Sequence, residues 1–362
     1  MSHIACFHLL NDYSGSPIVL SRVLRGLLDR GCQIDLTCSR GGVLDTIEDD
    51  KLRIHHYSYH FSTNAFVTLV RWAWVQLYTF VYAFRFIGRG CSTFYINTLL
   101  PVGPALAGRM MGKRVVYHYH ENANAKGSFY RLLCSAMQRL AHRIICVSAY
   151  QAAQLKRQDK VTVVHNALAS DLAERLGTDT QQAFERQNIL MLSSLKAYKG
   201  TAEFIGLAQH MPEYHFTLVI NDQQSQIDQY LHAQGIASPG NLTIHPRQTD
   251  VAPFYNDASI VLNLSNKALA IETFGLTTLE AMTAGLPVIV PTVGGIAEMV
   301  DDGVNGYKID VPDIDKIEAA IRLLLTDKTL FARMAAAAKA TSKQYDEKRM
   351  TEEIARILSD NN

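Results

Sequence analysis

Short apolar runs alternate along the chain with longer stretches whose apolar residues recur every three or four positions. In the first half the short runs are Ile4 to Leu10, Gln33 to Cys38, Thr93 to Asn97, Arg114 to His120, Ile144 to Ser148 and Val161 to Val164. A second series runs through Asn188 to Ser193, Phe216 to Ile220, Leu242 to His245, Ile260 to Leu264 and Val288 to Pro291. Strand-like runs separated by helical patterns predict an α/β protein of parallel sheets with crossover helices. The two series predict two doubly wound units in tandem. The first covers residues 1–170, a polar linker covers 171–187 and the second unit covers 188–341. Residues 342–362 read as a polar C-terminal helix that could return to the first unit. At 362 residues the chain is long for a single core, in line with two domains. Sheets of this kind bind ligands at the carboxyl ends of their strands, so two facing units would enclose a cleft.

Residues 64–86 form an unusually apolar helical stretch. Phe66, Leu69, Val70, Ala73, Leu77, Phe80, Val81 and Phe84 fall on one face, with Asn64, Thr68, Arg71, Tyr78, Tyr82 and Arg85 on the other. The arginines would be costly inside lipid. The pattern favours a helix packed on its own domain. An interfacial membrane helix with Trp72 and Trp74 at the boundary stands beside it, and a membrane span behind both.

Composition sharpens this picture in two ways. Residues 1–170 carry 19 Lys and Arg against 9 Asp and Glu, whereas residues 171–362 carry 16 against 25, so a net charge of +1 conceals a basic half and an acidic half. A basic half suits an anionic partner such as a membrane surface, or simply reflects solvated faces. No basic run is interleaved with aromatics, which argues against nucleic acid. The six cysteines all lie in the first half without Cys-x-x-Cys spacing, as expected of reduced, buried thiols in a cytosolic protein. The chain enters an apolar strand at Ile4, with no pattern of a signal peptide.

The densest chemistry lies between Glu272 and Met282. Leu276 to Ala284 is predicted to be a helix, opened by the flexible Gly275 and ended by Gly285-Leu286-Pro287. The backbone N–H groups of Phe274, Gly275, Leu276 and Thr277 would converge at its positive end, a seat for a diphosphate. Glu280, one turn further in, can reach a hydroxyl pair, and Glu272 approaches from the preceding loop.

These pieces carry a resemblance to a known family. The glutamate pair with seven intervening residues is followed by Gly285-Leu286-Pro287-Val288-Ile289, by Gly294-Gly295-Ile296-Ala297-Glu298 and by Asp301-Asp302-Gly303-Val304-Asn305-Gly306-Tyr307. Together they resemble the retaining glycosyltransferases of family 4 (group 1), which have the two-domain GT-B architecture and use nucleotide-diphosphate sugars. The resemblance implies that Glu280 binds the nucleotide ribose, that Glu272 contacts the donor sugar, and that the Phe274 to Thr277 backbone holds sugar and phosphate oxygens. It assigns Lys199, before Gly200, to the diphosphate. Relatives often place Gly-Arg five residues ahead of that lysine; here Ser193-Ser194-Leu195-Lys196 stands instead, and Lys196 would replace the arginine as a point charge rather than a fork.

In the first half, Ser14-Gly15-Ser16-Pro17 precedes a helix expected over Ile18 to Leu28, where relatives have a paired-glycine loop. The resemblance gives Gly15 and Ser16 a donor-binding role. His120 ends the strand from Val115 and is followed by Glu121, matching the family's active-site histidine that binds a sugar hydroxyl. Strand alternation puts His118 on the same face, as a packed residue.

Metal sites are not expected. His56-x-x-x-His60 lies in a strand-like stretch with His55 and is expected to lack a nearby carboxylate, and Asp313-Ile314-Asp315 follows Pro312 where acidic residues cap a helix. No dinucleotide or P-loop motif occurs. The sequence therefore predicts a cytosolic, membrane-peripheral, metal-independent and cofactor-free glycosyltransferase of the hexosyl or N-acetylhexosaminyl type. Its donor would be a UDP- or GDP-sugar and its acceptor a glycan or glycolipid of lipopolysaccharide, capsule or lipid-linked oligosaccharide synthesis. A nucleotide-sugar epimerase, a phosphorylase or a non-catalytic sugar-binding scaffold on the same fold are the alternatives.

Overall fold

The computed structural model describes residues 3–124 and 127–360. The chain divides into two compact units, residues 1–167 with 347–362, and residues 168–346. In the first, the order is β1 (His3–Phe7), α1 (Gly15–Asp29), β2 (Gln33–Ser39), β3 (Leu52–Tyr57), α2 (Ala65–Ala83), β4 (Cys91–Asn97), α3 (Val102–Met110), β5 (Arg114–Tyr119), α4 (Ser128–Leu140), β6 (Arg143–Cys146), α5 (Ala149–Ala153) and β7 (Val161–Val163). The second runs α6 (Ser170–Arg175), α7 (Thr180–Arg186), β8 (Asn188–Ser193), α8 (Thr201–His210), β9 (His215–Ile220), α9 (Gln224–Gln234), β10 (Leu242–His245), α10 (Ala252–Asn256), β11 (Ile260–Leu262), α11 (Leu276–Ala284), β12 (Val288–Val290), α12 (Gly295–Glu298), β13 (Gly306–Lys308), α13 (Ile314–Thr326) and α14 (Lys328–Ser342). The final helix, α15 (Glu347–Ser359), packs on α1 in the first unit. It begins five residues after Ser342, because Ser342 itself closes α14.

Both sheets are parallel, ordered β3-β2-β1-β4-β5-β6-β7 and β10-β9-β8-β11-β12-β13. In each, the strand order reverses at the first strand of the unit, so the carboxyl ends of β1 and β4, and of β8 and β11, flank a crevice within the unit. This is the GT-B type of α/β fold. Apolar side chains fill the first sheet's flanks, with Phe7, Phe86 and Phe94 in mutual ring contact at 5.1–6.4 Å.

Helix α2 departs from expectation. Asn64 caps it by accepting from the N–H groups of Phe66 and Val67. Its buried side is made by Val75, Gln76, Thr79 and Ala83, with Trp72, Phe80 and Phe84 packed partly into the core. Phe66, Leu69, Val70, Leu77 and Val81, expected to pack, are exposed. The reason is steric and polar. A Cβ on Gly103 would lie 2.1 Å from the Gln76 carbonyl oxygen, and the Gln76 Oε1 accepts from the Gly103 N–H at 3.0 Å, so the backbone of α3 seats against the Gln76 side of α2. Among the described residues, no helix is long and apolar enough to cross a membrane.

Candidate active site

In the second unit, α11 begins and ends as its flanking glycines dictate. Gly275 and Gly285 adopt φ of +97° and +81°, the left-handed region that favours glycine. A Cβ on Gly275 would lie 2.6 Å from the Ile296 side chain, so the loop can dock only with glycine there. Gly294, at φ +109°, would carry its Cβ 2.4 Å from the Glu272 carbonyl oxygen, and that oxygen accepts from the Gly295 N–H at 2.9 Å. The Gly294-Gly295 pair thus clamps the Glu272 backbone beside the start of α11. Among the described residues the amides of Gly275, Leu276 and Thr277 donate to no protein acceptor, leaving the first turn open at its positive end.

Side chains converge on the same place. Lys199 Nζ lies 2.6 Å from Glu272 Oε1, which also accepts from the Ser265 hydroxyl at 2.8 Å. Both partners are largely buried. Burial pushes the Glu272 carboxyl up, but Lys199, the Ser265 hydroxyl and the charge of the exposed Lys196 outweigh it and hold it below the usual range. Burial lowers Lys199, and Glu272 more than restores it, so the ammonium is kept charged. Lys199 is delivered by Gly200, at φ +74°, whose missing Cβ lets this turn press on the carbonyl of Leu264. One turn into α11, Glu280 is buried and its Oε2 accepts from the Tyr255 hydroxyl at 2.6 Å. Phe274 is buried edge-on against Tyr345, with ring centroids 5.8 Å apart. A charged lysine, open helix-end amides and two oriented carboxylates can together bind phosphate oxygens and polyol hydroxyls.

The first unit gathers a second polar cluster at the carboxyl ends of β1, β4 and β5. His120 Nε2 donates to Asn97 Oδ1 at 2.9 Å, Asn97 Nδ2 donates to His8 Nδ1 at 3.0 Å, and His8 Nε2 donates to the Leu10 carbonyl at 2.8 Å. This assignment of tautomers satisfies every link with neutral rings. Burial lowers His8 to about 4, and burial with the neighbouring His118 and His8 lowers His120 well below the usual range. His118, expected on the same face, has its ring centroid 4.2 Å from that of His120 with the rings tilted by 40°, is fully buried and pairs through Nδ1 with the Tyr95 hydroxyl. Glu121 accepts from the Leu99 N–H and so closes the turn at Thr98, whose φ of +71° is strained for a β-branched residue.

Gly15 and Ser16 are not in a loop. Both belong to the first turn of α1, because Asp12 Oδ1 accepts from the Ser14 N–H and hydroxyl and turns the chain early, while Pro17 needs no N–H partner in that turn. The Ser16 carbonyl accepts from Asn97 Nδ2 at 3.4 Å, which ties α1 to the His120 cluster. A different glycine packs on the preceding loop: a Cβ on Gly42 would lie 2.4 Å from Asn11 and Asp12.

Sequence reasoning missed Tyr255, Ser265, Asn97 and His8. The first two have no local signal, whereas Asn97 and His8 are polar residues at or just past strand carboxyl ends and were open to detection. The expectation that His56 lacks a carboxylate is also corrected. Asp45 lies 3.8 Å from it, and Cys38, Asp45 and His56 bring their ligand atoms within 4.8 Å. Asp45 is engaged by Asn11 and the Gly41 N–H, and burial with Asp45 raises the Cys38 thiol to about 12, so this thiol is protonated. Asp313 stands at the start of α13 but pairs with Lys316 instead of capping.

The matches to known proteins follow the two units. Residues 179–341 match the family Glycosyl transferases group 1, and residues 13–172 match Glycosyltransferase Family 4. The chain belongs to the group 1, family 4 type of glycosyltransferases. The D-inositol 3-phosphate glycosyltransferase of Xylanimonas cellulosilytica is 28% identical over 182 residues, 48% of this chain and 41% of that protein. The chain thus spans less than half the length of this curated relative. The Anabaena protein HepE, solved in complex with UDP and glucose, superposes with a TM-score of 0.77 at 20% identity, over 98% of this chain and 99% of its own. WaaG, a glycosyltransferase involved in lipopolysaccharide biosynthesis, does so with a TM-score of 0.72 at 17% identity, over 99% of each chain.

Proposed function

We propose that this protein transfers a sugar, with retention and without a metal, from a nucleotide-diphosphate donor to a hydroxyl acceptor in cell-surface glycan synthesis. The observation that carries the reading is the Lys199–Glu272 pair at the open amino end of α11, with Glu280 one turn further in. The nucleotide ribose is held by Glu280, which Tyr255 orients, and the diphosphate lies over the Gly275 to Thr277 amides with Lys199 and Lys196 facing it. As the glycosidic bond breaks, negative charge grows on the leaving diphosphate, and an ammonium with fixed amides stabilises that charge without a divalent ion. Glu272 orients the donor sugar. In the first unit, the resemblance to the family implies that His120 binds a sugar hydroxyl and that Gly15-Ser16 serve donor binding, and the neutral His120 is fit to bind a hydroxyl rather than to carry charge. The acceptor hydroxyl then attacks the oxocarbenium-like sugar on the face the nucleotide leaves, and its proton passes to the departing diphosphate oxygen. HepE was solved with UDP and glucose, which supports a UDP-sugar as the first donor to try, and WaaG's involvement in lipopolysaccharide biosynthesis supports a glycolipid acceptor.

The test is a thermal-shift panel of nucleoside diphosphates and their sugars, followed by turnover of a labelled donor in chelator. A donor-specific shift that Glu280→Gln weakens, and transfer that needs an acceptor and that Lys199→Ala and Glu272→Ala abolish, are expected. Conversion of the donor sugar without an acceptor would instead mark an epimerase, and a flat panel with no turnover would overturn the assignment.

A further inference from the structure

Helix α2 turns an apolar face to solvent that its own unit does not cover. Phe66, Leu69, Val70, Trp74, Leu77 and Val81 are all exposed, Phe66 at 72% and Trp74 at 66%. At 100° per residue they fall within an arc of about 140°, opposite the buried Val75 and Thr79. The surface continues onto the neighbouring helices. α3, packed on α2, exposes Leu106 and Met110, and α4, packed on α3, exposes Phe129 and Leu132, with Phe129 edge-on to Trp72 at 5.1 Å. A contiguous stripe of this kind on one side of a domain marks an interaction surface.

Charge selects the occupant. From Lys51 to His120 the chain has no Asp or Glu, yet Arg71, Arg85, Arg89 and Arg109 are exposed, and α4 adds Arg131 and Arg139. Arg85 sits over the Tyr82 ring at 4.8 Å, and Arg71 reaches back to the His60 carbonyl, so both heads are anchored at the edge of the apolar face. A second copy docking on the same face about a two-fold axis would bring like charges together, with no carboxylate in the segment to pair them. An apolar stripe rimmed by arginines, with a tryptophan among its exposed residues, matches the boundary between acyl chains and anionic headgroups. We propose that the α2–α3–α4 face of the first unit docks in the plane of an anionic lipid bilayer, burying Phe66, Trp74 and Leu77 at the headgroup boundary without spanning it. This deepens the glycolipid part of the functional reading but stands on its own observations.

Co-sedimentation of the full chain with vesicles tests it. Binding is expected to phosphatidylcholine vesicles containing phosphatidylglycerol, to be much weaker with phosphatidylcholine alone, and to shift the Trp74 emission to the blue. The double variant Trp74→Ser/Leu77→Ser, whose exposed positions leave folding unchanged by circular dichroism, should bind about tenfold less or weaker still. Arg71→Gln/Arg85→Gln should lose the preference for the anionic lipid. The proposal is overturned by absence of binding to either vesicle, by binding indifferent to these substitutions, or by a dimer in light scattering that Trp74→Ser/Leu77→Ser dissolves. Thermal shift by nucleotides without vesicles is expected to be the same in these variants, so failure of docking leaves the donor assignment standing, and the reverse.

Discussion

At the scale of single residues, the candidate site is a set of charges and dipoles held ready by neighbours. Lys199→Ala removes the counter-charge of a largely buried carboxylate. It is expected to cost roughly 2 kcal/mol of stability, less than the about 3–5 kcal/mol of a fully buried pair, besides abolishing turnover. Thermal unfolding of the variant in the absence of nucleotide reads the structural part, and Lys199→Ala/Glu272→Ala should recover some of it, since the orphaned charge is gone. Tyr255→Phe tests orientation: nucleotide affinity by calorimetry should fall about threefold to tenfold, less than for Glu280→Gln, because one hydrogen bond to a carboxylate is lost and the carboxylate stays. An unchanged affinity in both variants would remove Glu280 from the nucleotide site. Glu272, Glu280 and Lys199 were legible in the sequence because each sits at a fixed offset from a helix start or a glycine. Tyr255 and Ser265 were not, since what recruits them is proximity in the folded unit and not spacing along the chain.

At the scale of elements, the same substitution should act with opposite sign at different glycines. Gly275→Ala and Gly294→Ala each place a Cβ against packed atoms at positive φ and should destabilise by about 2–4 kcal/mol. Gly206, inside α8, has no neighbouring atom within 4 Å of where a methyl group would stand, so Gly206→Ala should stabilise by about 0.5–1 kcal/mol. Melting curves of the three variants decide this directly, and equal losses would mean that the clamp on Glu272 is not steric. Helix α11 was readable to the residue because glycines punctuate both its ends. α2 was readable as a helix but not in its orientation: apolar residues occupy both faces, and the face that packs was chosen by Gly103 and Gln76, whose meeting no periodicity announces. Strand β13 escaped because Gly306-Tyr307-Lys308 holds no apolar run, unlike the equally short β7, β11 and β12, and the start of α1 was misplaced because Asp12 turns the chain earlier than Pro17 suggests.

At the scale of the whole molecule, protonation should act on the two units differently. His8 and His118 of the first unit are buried neutral, lowered by burial from 6.5 to about 4 and about 3. The unfolded chain takes up these protons below about 6.5 while the folded unit refuses them, so stability falls as pH drops through that window, by up to about 1.4 kcal/mol per pH unit for each ring. His118→Asn should flatten the slope by about that amount in chemical denaturation followed at several pH values. The second unit loses its Lys199–Glu272 contribution only at lower pH, as Glu272, held below its usual value of 4.5, takes a proton. The first unit should therefore open first in mild acid. The free cysteines offer a way to watch it. Five of the six are buried and the sixth, Cys134, is partly so; all lie in the first unit, and burial raises Cys91 to about 11 and Cys146 to about 12. Such thiols have almost no reactive thiolate until their surroundings part. The protein thus carries its own stopwatch: the pace at which a thiol reagent consumes Cys38, Cys91 and Cys146 times the opening of the first unit alone, while the second unit, having no cysteine, stays silent.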